Sequence, residues 1–91
     1  MSGINIIHNP DEKTLNELGV TGWPIWSKET SEFPWYYDME ETCYLLEGKV
    51  TVTVKNGESV NFAAGDLVTF PQGMACTWII HENVKKHYIF K

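Results

Sequence analysis

The chain has 91 residues, 43% of them hydrophobic and 13% aromatic, with a formal charge of −5. That length suits one domain, residues 1–91, because two separate cores would each be too small to be stable. The composition excludes a disordered chain, and the absence of any basic stripe argues against nucleic acid as a partner.

No apolar run approaches the roughly 18–20 residues needed to span a bilayer. The start, Met1-Ser2-Gly3-Ile4-Asn5, has neither the charged head nor the apolar centre of a signal peptide, so a cytoplasmic protein that does not meet the membrane is expected. The two cysteines, Cys43 and Cys76, lack Cys-x-x-Cys spacing. They read as reduced, buried thiols rather than a disulfide scaffold or a structural zinc site.

In chain order, Ile4-Asn5-Ile6-Ile7 predicts a short first strand. Asn9 reads as an N-cap, with Pro10 opening a helix and Glu12 completing a near capping box. The helix is expected over about residues 10–18, ending at Gly19. Gly22-Trp23-Pro24 is a turn, and residues 25–30 follow as a strand. The aromatic stretch Phe33-Pro34-Trp35-Tyr36-Tyr37 is extended, its proline suiting an edge strand. After the polar break Asp38-Met39-Glu40 comes a strand over 41–47, led by Glu41. Gly48-Lys49 is a turn or a bulge. Residues 49–54 alternate with their valines on one face. Asn56-Gly57 is a hairpin signal of type I′, and residues 59–62 return. Ala63-Ala64-Gly65-Asp66 turns into a strand over 67–70, and Pro71-Gln72-Gly73 is a tight corner. Strands follow at 75–80 and from Val84 to Phe90, with His81-Glu82-Asn83 as the turn between them. Short strands at this density predict an all-β antiparallel barrel or sandwich with one short N-terminal helix.

Two motifs sharpen this. Glu41, six residues and Gly48 form one, ending Tyr44-Leu45-Leu46-Glu47-Gly48. Gly65, five residues, Pro71, one residue and Gly73 form the other. Both resemble the two motifs of the cupins, which implies a small jelly-roll barrel. Trp23-Pro24-Ile25-Trp26, the aromatics at 33–37 and Lys86-His87-Tyr88 are more narrowly similar to minimal cupins related to (S)-ureidoglycine aminohydrolase. Metal-binding cupins take two histidines and the Glu from the first motif and one histidine from the second. Here those histidine positions fall on Trp35 and Tyr37, or on Pro34 and Tyr36, and on Cys76. Glu41 alone survives, so no metal cofactor is expected, although Glu41, Cys76 and the non-motif His87 form an atypical set to be tested.

If the strand over 41–47 keeps the orientation that the cupin resemblance implies, Glu41, Cys43 and Leu45 face the barrel interior, since side chains alternate, with Cys76 and Trp78 on the facing side of their own strand. A buried carboxylate needs a donor, and the Tyr36 or Tyr37 hydroxyl, a Trp N–H or Lys86 can supply it. Lys86-His87 otherwise reads as a solvated strand end. The candidate reactive groups are therefore Glu41, as acid/base or anchor, and Cys76, as a nucleophile if a neighbour such as His87 lowers its pKa. Trp35, Tyr36, Tyr37, Cys43, Trp78 and Lys86 are the candidate ligand-binding residues. The expectation is a small-molecule-binding cupin, with an enzyme on a small nitrogenous or carbohydrate-like substrate as one form of it. The alternative is a structural or protein-interaction cupin that has lost its metal site. Sheet edges and exposed aromatics in a barrel this small lead us to expect a homodimer.

Overall fold

A computed structural model describes residues 3–91. Met1 and Ser2, at the head of the segment read for a leader, lie outside the described residues. No helix among the described residues is long and apolar enough to cross a membrane.

The elements are β1 (Asn5–His8), α1 (Glu12–Leu18), a single 3₁₀ turn (Val20–Gly22), β2 (Ile25–Lys28), β3 (Ser31–Tyr36), β4 (Glu41–Val54), β5 (Ser59–Ala63), β6 (Asp66–Phe70) and β7 (Ala75–Phe90). Every strand pairing is antiparallel. The principal order is β1-β6-β4-β7-β2, while β3 also pairs with β7 and β5 with β4. β4 and β7 thus lie side by side at the centre. The first part of β4 is flanked by β6, at Glu41–Tyr44, and its second part by β5, at Lys49–Thr53. The early part of β7 carries β3 and its late part β2. Two long shared strands bending between two sets of partners close an antiparallel β-barrel, with one short helix at the N-terminal end.

Three local expectations are corrected. The helix is capped by Asp11, whose side chain accepts the Thr14 N–H at 2.8 Å. Asn9 instead adopts a positive φ of 48° and bonds through its N–H to the Gly65 carbonyl, so it turns the chain away from β1 rather than capping α1. The Asn56-Gly57 hairpin is not type I′. Gly57 has φ 97° but Asn56 is not in the positive-φ region, and the loop closes through Gly57 N–H to Val54 O and Val54 N–H to Glu58 O. Finally, His81-Glu82-Asn83 does not divide two strands. All three residues belong to β7, where Lys49 still pairs with Glu82.

At Gly48-Lys49 the structure takes the bulge rather than the turn. β4 runs unbroken through Gly48, and its register with β7 shifts between Leu45 and Val50. The consequence appears in burial. Glu41, Cys43 and Leu45 point inward, and so do Val50, Val52 and Val54. A strict two-residue period would put odd and even positions on opposite faces. One slipped residue lets both halves of β4 face the same interior, while β7 keeps one phase through Cys76, Trp78, Ile80, Val84 and Lys86. Gly48, at φ 112°, makes the slip, and a Cβ there would lie 2.8 Å from Asn83 O and 2.8 Å from Val84 Cγ2.

The core gathers these inward positions with Phe62, Val68, Phe70 and Met74. Trp78 is its hub. Phe62, Phe70, Phe33 and Trp26 all pack their rings within 6.3 Å of its centroid.

Candidate functional site

Glu41 opens β4 at the end of the barrel and is 3% exposed. Two groups meet its carboxylate. The Tyr37 hydroxyl donates to Oε1 at 2.8 Å, and Lys86 Nζ donates to Oε2 at 2.8 Å. Tyr37 follows β3 directly and is held by two backbone bonds, its N–H to Met74 O and its carbonyl from Gly73 N–H. Its ring stacks on Phe70 at 4.9 Å. The Tyr37 oxygen in turn accepts the indole N–H of Trp78 at 3.2 Å. Trp78, Tyr37, Glu41 and Lys86 therefore form one chain of hydrogen bonds running from β7 through β4 and back to β7.

Lys86 is 5% exposed. Its ammonium lies 4.5 Å from the Trp78 ring centroid and 4.9 Å from that of Trp26, so two ring faces and a carboxylate replace its water. Every buried side-chain nitrogen and oxygen among the described residues has a hydrogen-bond partner, which is the condition under which buried charges are tolerated.

A cavity of about 240 Å³ stands over this network. Glu41, Lys86 and Tyr37 contribute polar atoms, and Trp26, Phe33 and Trp78 contribute rings. Trp35, Tyr88 and Phe90 complete the lining. Trp35 and Phe90 are exposed and lie toward solvent.

Titration in the site follows burial. Desolvation first, and then the neighbouring Glu41 charge, push the Tyr37 phenol far above its usual range, so it remains a hydroxyl donor. Desolvation pushes the Cys43 thiol up to about 12, with Lys86 pulling the other way. The Cys76 thiol rises to about 11, through desolvation and then Glu41. Neither cysteine is a thiolate at neutral pH, which is the form a nucleophile requires.

Of the residues singled out from sequence, Glu41, Lys86, Tyr37, Trp78 and Trp35 come together around the cavity. Cys43 and Cys76 are buried but are not among its lining residues. Tyr36 is 60% exposed and borders a separate shallow depression with Pro71 and Met74. His87 lies on β7 one position beyond Lys86, and its Nδ1 meets the Trp23 carbonyl at 2.9 Å. No group of three or more His, Cys, Asp or Glu side chains able to hold a metal occurs among the described residues, so Glu41, Cys76 and His87 do not assemble. Sequence reasoning missed Trp26, Phe33, Tyr88 and Phe90 as lining residues. For Tyr88 a signal existed, since it continues the every-second-residue inward series of Val84 and Lys86.

Comparison with known proteins bears on this arrangement. The sequence profile of the EutQ-like cupin domain matches residues 15–88. A DUF861 family protein from Thermotoga maritima is 52% identical to the chain and superposes with a TM-score of 0.94, with 97% of this chain and 99% of that one covered. A DUF861 family protein of unknown function from Pseudomonas syringae pv. tomato is 29% identical with a TM-score of 0.67, covering 74% of this chain and 29% of that one. A putative ethanolamine utilization protein Q from Salmonella typhimurium is 26% identical with a TM-score of 0.66, covering 72% of this chain and 53% of that one. The chain thus spans about half of the Salmonella protein and less of the Pseudomonas one. No curated protein gives a significant match. With a matched profile over most of its length and a relative of near-identical size and fold, the chain belongs to the EutQ-like cupin family.

Proposed function

We propose that the chain is a small-molecule-binding cupin whose site is the aromatic cavity over Glu41 and Lys86. The observation that carries this reading is the cavity itself: about 240 Å³, walled by rings, with a few convergent polar atoms at its floor. Concave apolar pockets with few polar groups are the usual form of ligand sites. The volume falls below the ~300–1,000 Å³ common for such pockets, so the ligand is small.

The divalent metal of metal-binding cupins does not fit this donor set. Tyr37 and Lys86 each bond one Glu41 oxygen, and the positions of the motif histidines hold residues without imidazole, so Glu41 stands as a lone motif ligand. An ammonium 2.8 Å from the carboxylate would repel a second cation. Lys86 supplies the positive charge that Glu41 would otherwise share with a metal. The likeness to the (S)-ureidoglycine aminohydrolase group belongs to this reading as well, and favours a small nitrogenous or carbohydrate-like ligand.

The test is a fragment screen on ¹⁵N-tryptophan-labelled protein, following the indole resonances of Trp26 and Trp78. Ligands of the cavity are expected to shift both, and Glu41→Gln is expected to weaken them. Undiminished binding in Glu41→Gln would remove Glu41 as the anchor.

A second reading has its own support. The Trp78–Tyr37–Glu41–Lys86 network is complete without any ligand, as a structural module that has lost its metal chemistry would require. Native mass spectrometry separates the two readings. A small molecule co-purifying with the wild-type protein and absent from Glu41→Gln favours the binding site.

A further inference from the structure

We infer that the cavity selects a small, flat, uncharged molecule bearing N–H donors, of the primary carboxamide type, over carboxylates and over cations. The inference rests on the cavity being a ligand site and follows from a count of donors and acceptors on its floor.

An ammonium has three protons and no acceptor. Lys86 Nζ gives one to Glu41 Oε2 at 2.8 Å, and its charge stands over the Trp78 ring at 4.5 Å and the Trp26 ring at 4.9 Å. The Trp78 indole N–H is spent on the Tyr37 oxygen, and the Tyr37 hydroxyl proton on Glu41 Oε1. The floor's remaining donor capacity therefore lies on Lys86. Its acceptors are not exhausted. A carboxylate offers about four lone-pair sites, of which Tyr37 and Lys86 use one each, and a phenolic oxygen that has accepted one bond can accept again. The remaining polar atoms of the lining, the indole N–H of Trp26 and Trp35 and the Tyr88 hydroxyl, belong to half-buried or exposed residues. The floor can thus accept hydrogen bonds at Glu41 and Tyr37 and donate at Lys86, so a ligand carrying both N–H donors and a carbonyl acceptor matches it.

Charge narrows the class further. Glu41 and Lys86 cancel each other. An anion would face the negative faces of aromatic rings and stand beside the Glu41 carboxylate. A cation would be drawn to such faces, but Lys86 already engages those of Trp26 and Trp78, and its charge stands beside the only carboxylate in the lining. An uncharged donor avoids both penalties. Ring walls favour a flat one, since aromatic faces stack on planar groups.

Benzamide, benzoate and benzamidine share one shape and differ in charge, which makes them the test. Each is titrated into ¹⁵N-tryptophan-labelled wild-type protein while the Trp78 and Trp26 indole resonances are followed. Benzamide is expected to bind at least about tenfold more tightly than either charged analogue, the effect of one well-made hydrogen bond against a buried mismatch. Glu41→Gln removes the carboxylate opposite Lys86 and places an amide donor on the floor, so the preference is expected to move to benzoate. The wild-type ranking decides the matter even where that variant fails to fold. Benzoate or benzamidine binding as tightly as benzamide, with Trp78 shifted, would overturn this inference and leave the ligand site standing. No shift of Trp78 or Trp26 by any of the three at millimolar concentration would overturn both.

Discussion

Lys86→Met is the substitution that most directly tests the Glu41–Lys86 pair. The side chains are 6% and 4% exposed, so neither charge has water to fall back on. Methionine fills the space between Trp26 and Trp78 with an apolar chain of similar length but leaves Glu41 with Tyr37 as its one remaining partner. Removing one member of a buried ion pair costs about 3–5 kcal/mol, mostly as the penalty for the charge left behind. A domain of this size has about 5–14 kcal/mol of stability in all, at ~0.05–0.15 kcal/mol per residue. Lys86→Met is therefore expected to consume roughly a fifth or more of it. Glu41→Gln is expected to cost less. There Lys86 keeps both ring faces, worth up to about 2 kcal/mol when desolvated, and the new amide oxygen still accepts from Nζ. The double variant, with no buried charge, is expected to recover to within about 1 kcal/mol of the wild type, giving a coupling of at least about 2 kcal/mol. Equilibrium urea denaturation at pH 7 on all four proteins measures this cycle. A Lys86→Met loss smaller than that of Glu41→Gln, or additive single losses, would refute the claim that the pair is a mutually dependent buried unit.

Tyr37→Phe removes one of the two Glu41 donors and strands the Trp78 indole N–H, which predicts a loss of about 1–3 kcal/mol in urea denaturation and an altered Trp78 indole resonance. The Cys43 thiol ionises near 12 in the folded protein against an ordinary value of 9.0, so the unfolded chain loses its proton first and stability is present below pH 9 and falls as pH rises toward 12. Between pH 8 and pH 10 that group contributes a fall of about 1.4 kcal/mol, and Cys43→Ala should lessen the decline by that amount; an unchanged decline would refute the assignment. Gly48→Ala is expected to cost about 1–3 kcal/mol, because its φ is strained for any residue with a Cβ and the added atom meets backbone oxygens; a Tm within a degree of the wild type would show that the bulge has no need of glycine.

Much of the barrel was legible because its strands alternate and its turns carry glycine. The site was legible to the extent that an acidic residue led a strand of inward positions. What could not be read was the choice among donors for Glu41. Lys86 and His87 sit side by side in a polar-looking run, and their separation into one buried cation and one residue bonded to the Trp23 carbonyl depends on the phase of β7. That phase is set by tertiary pairing. The Gly48 bulge left a trace in the sequence, an inward set at 41, 43 and 45 followed by one at 50, 52 and 54, which a turn and a bulge explain equally well. Asn9 and Asn56 misled for a common reason. Asparagine suits caps and positive-φ positions alike, and only the backbone around it shows which role is taken.

The bulge and the site are linked through the bend in β7. Trp78 and Lys86 are eight residues apart on one strand, and a straight strand would separate them by about 26 Å at ~3.3 Å per residue. Yet the Lys86 ammonium lies 4.5 Å from the Trp78 ring. A side chain of either kind covers only part of that gap, so β7 must fold back on itself between them, through His81, Glu82 and Asn83. Gly48 packs against the inside of that same stretch, where a Cβ would come within 3.0 Å of the Glu82 carbonyl and 2.8 Å of the Asn83 carbonyl. The slip in β4 and the curl in β7 are thus two sides of one contact. That contact brings an indole from one arm of β7 and an ammonium from the other to the hydrogen-bonded pair of Tyr37 and Glu41. The glycine that ends the first sequence motif therefore shapes the cavity without lining it, and the seven-residue spacing from Glu41 to Gly48 joins the site's anchor to the bend that closes the site around it.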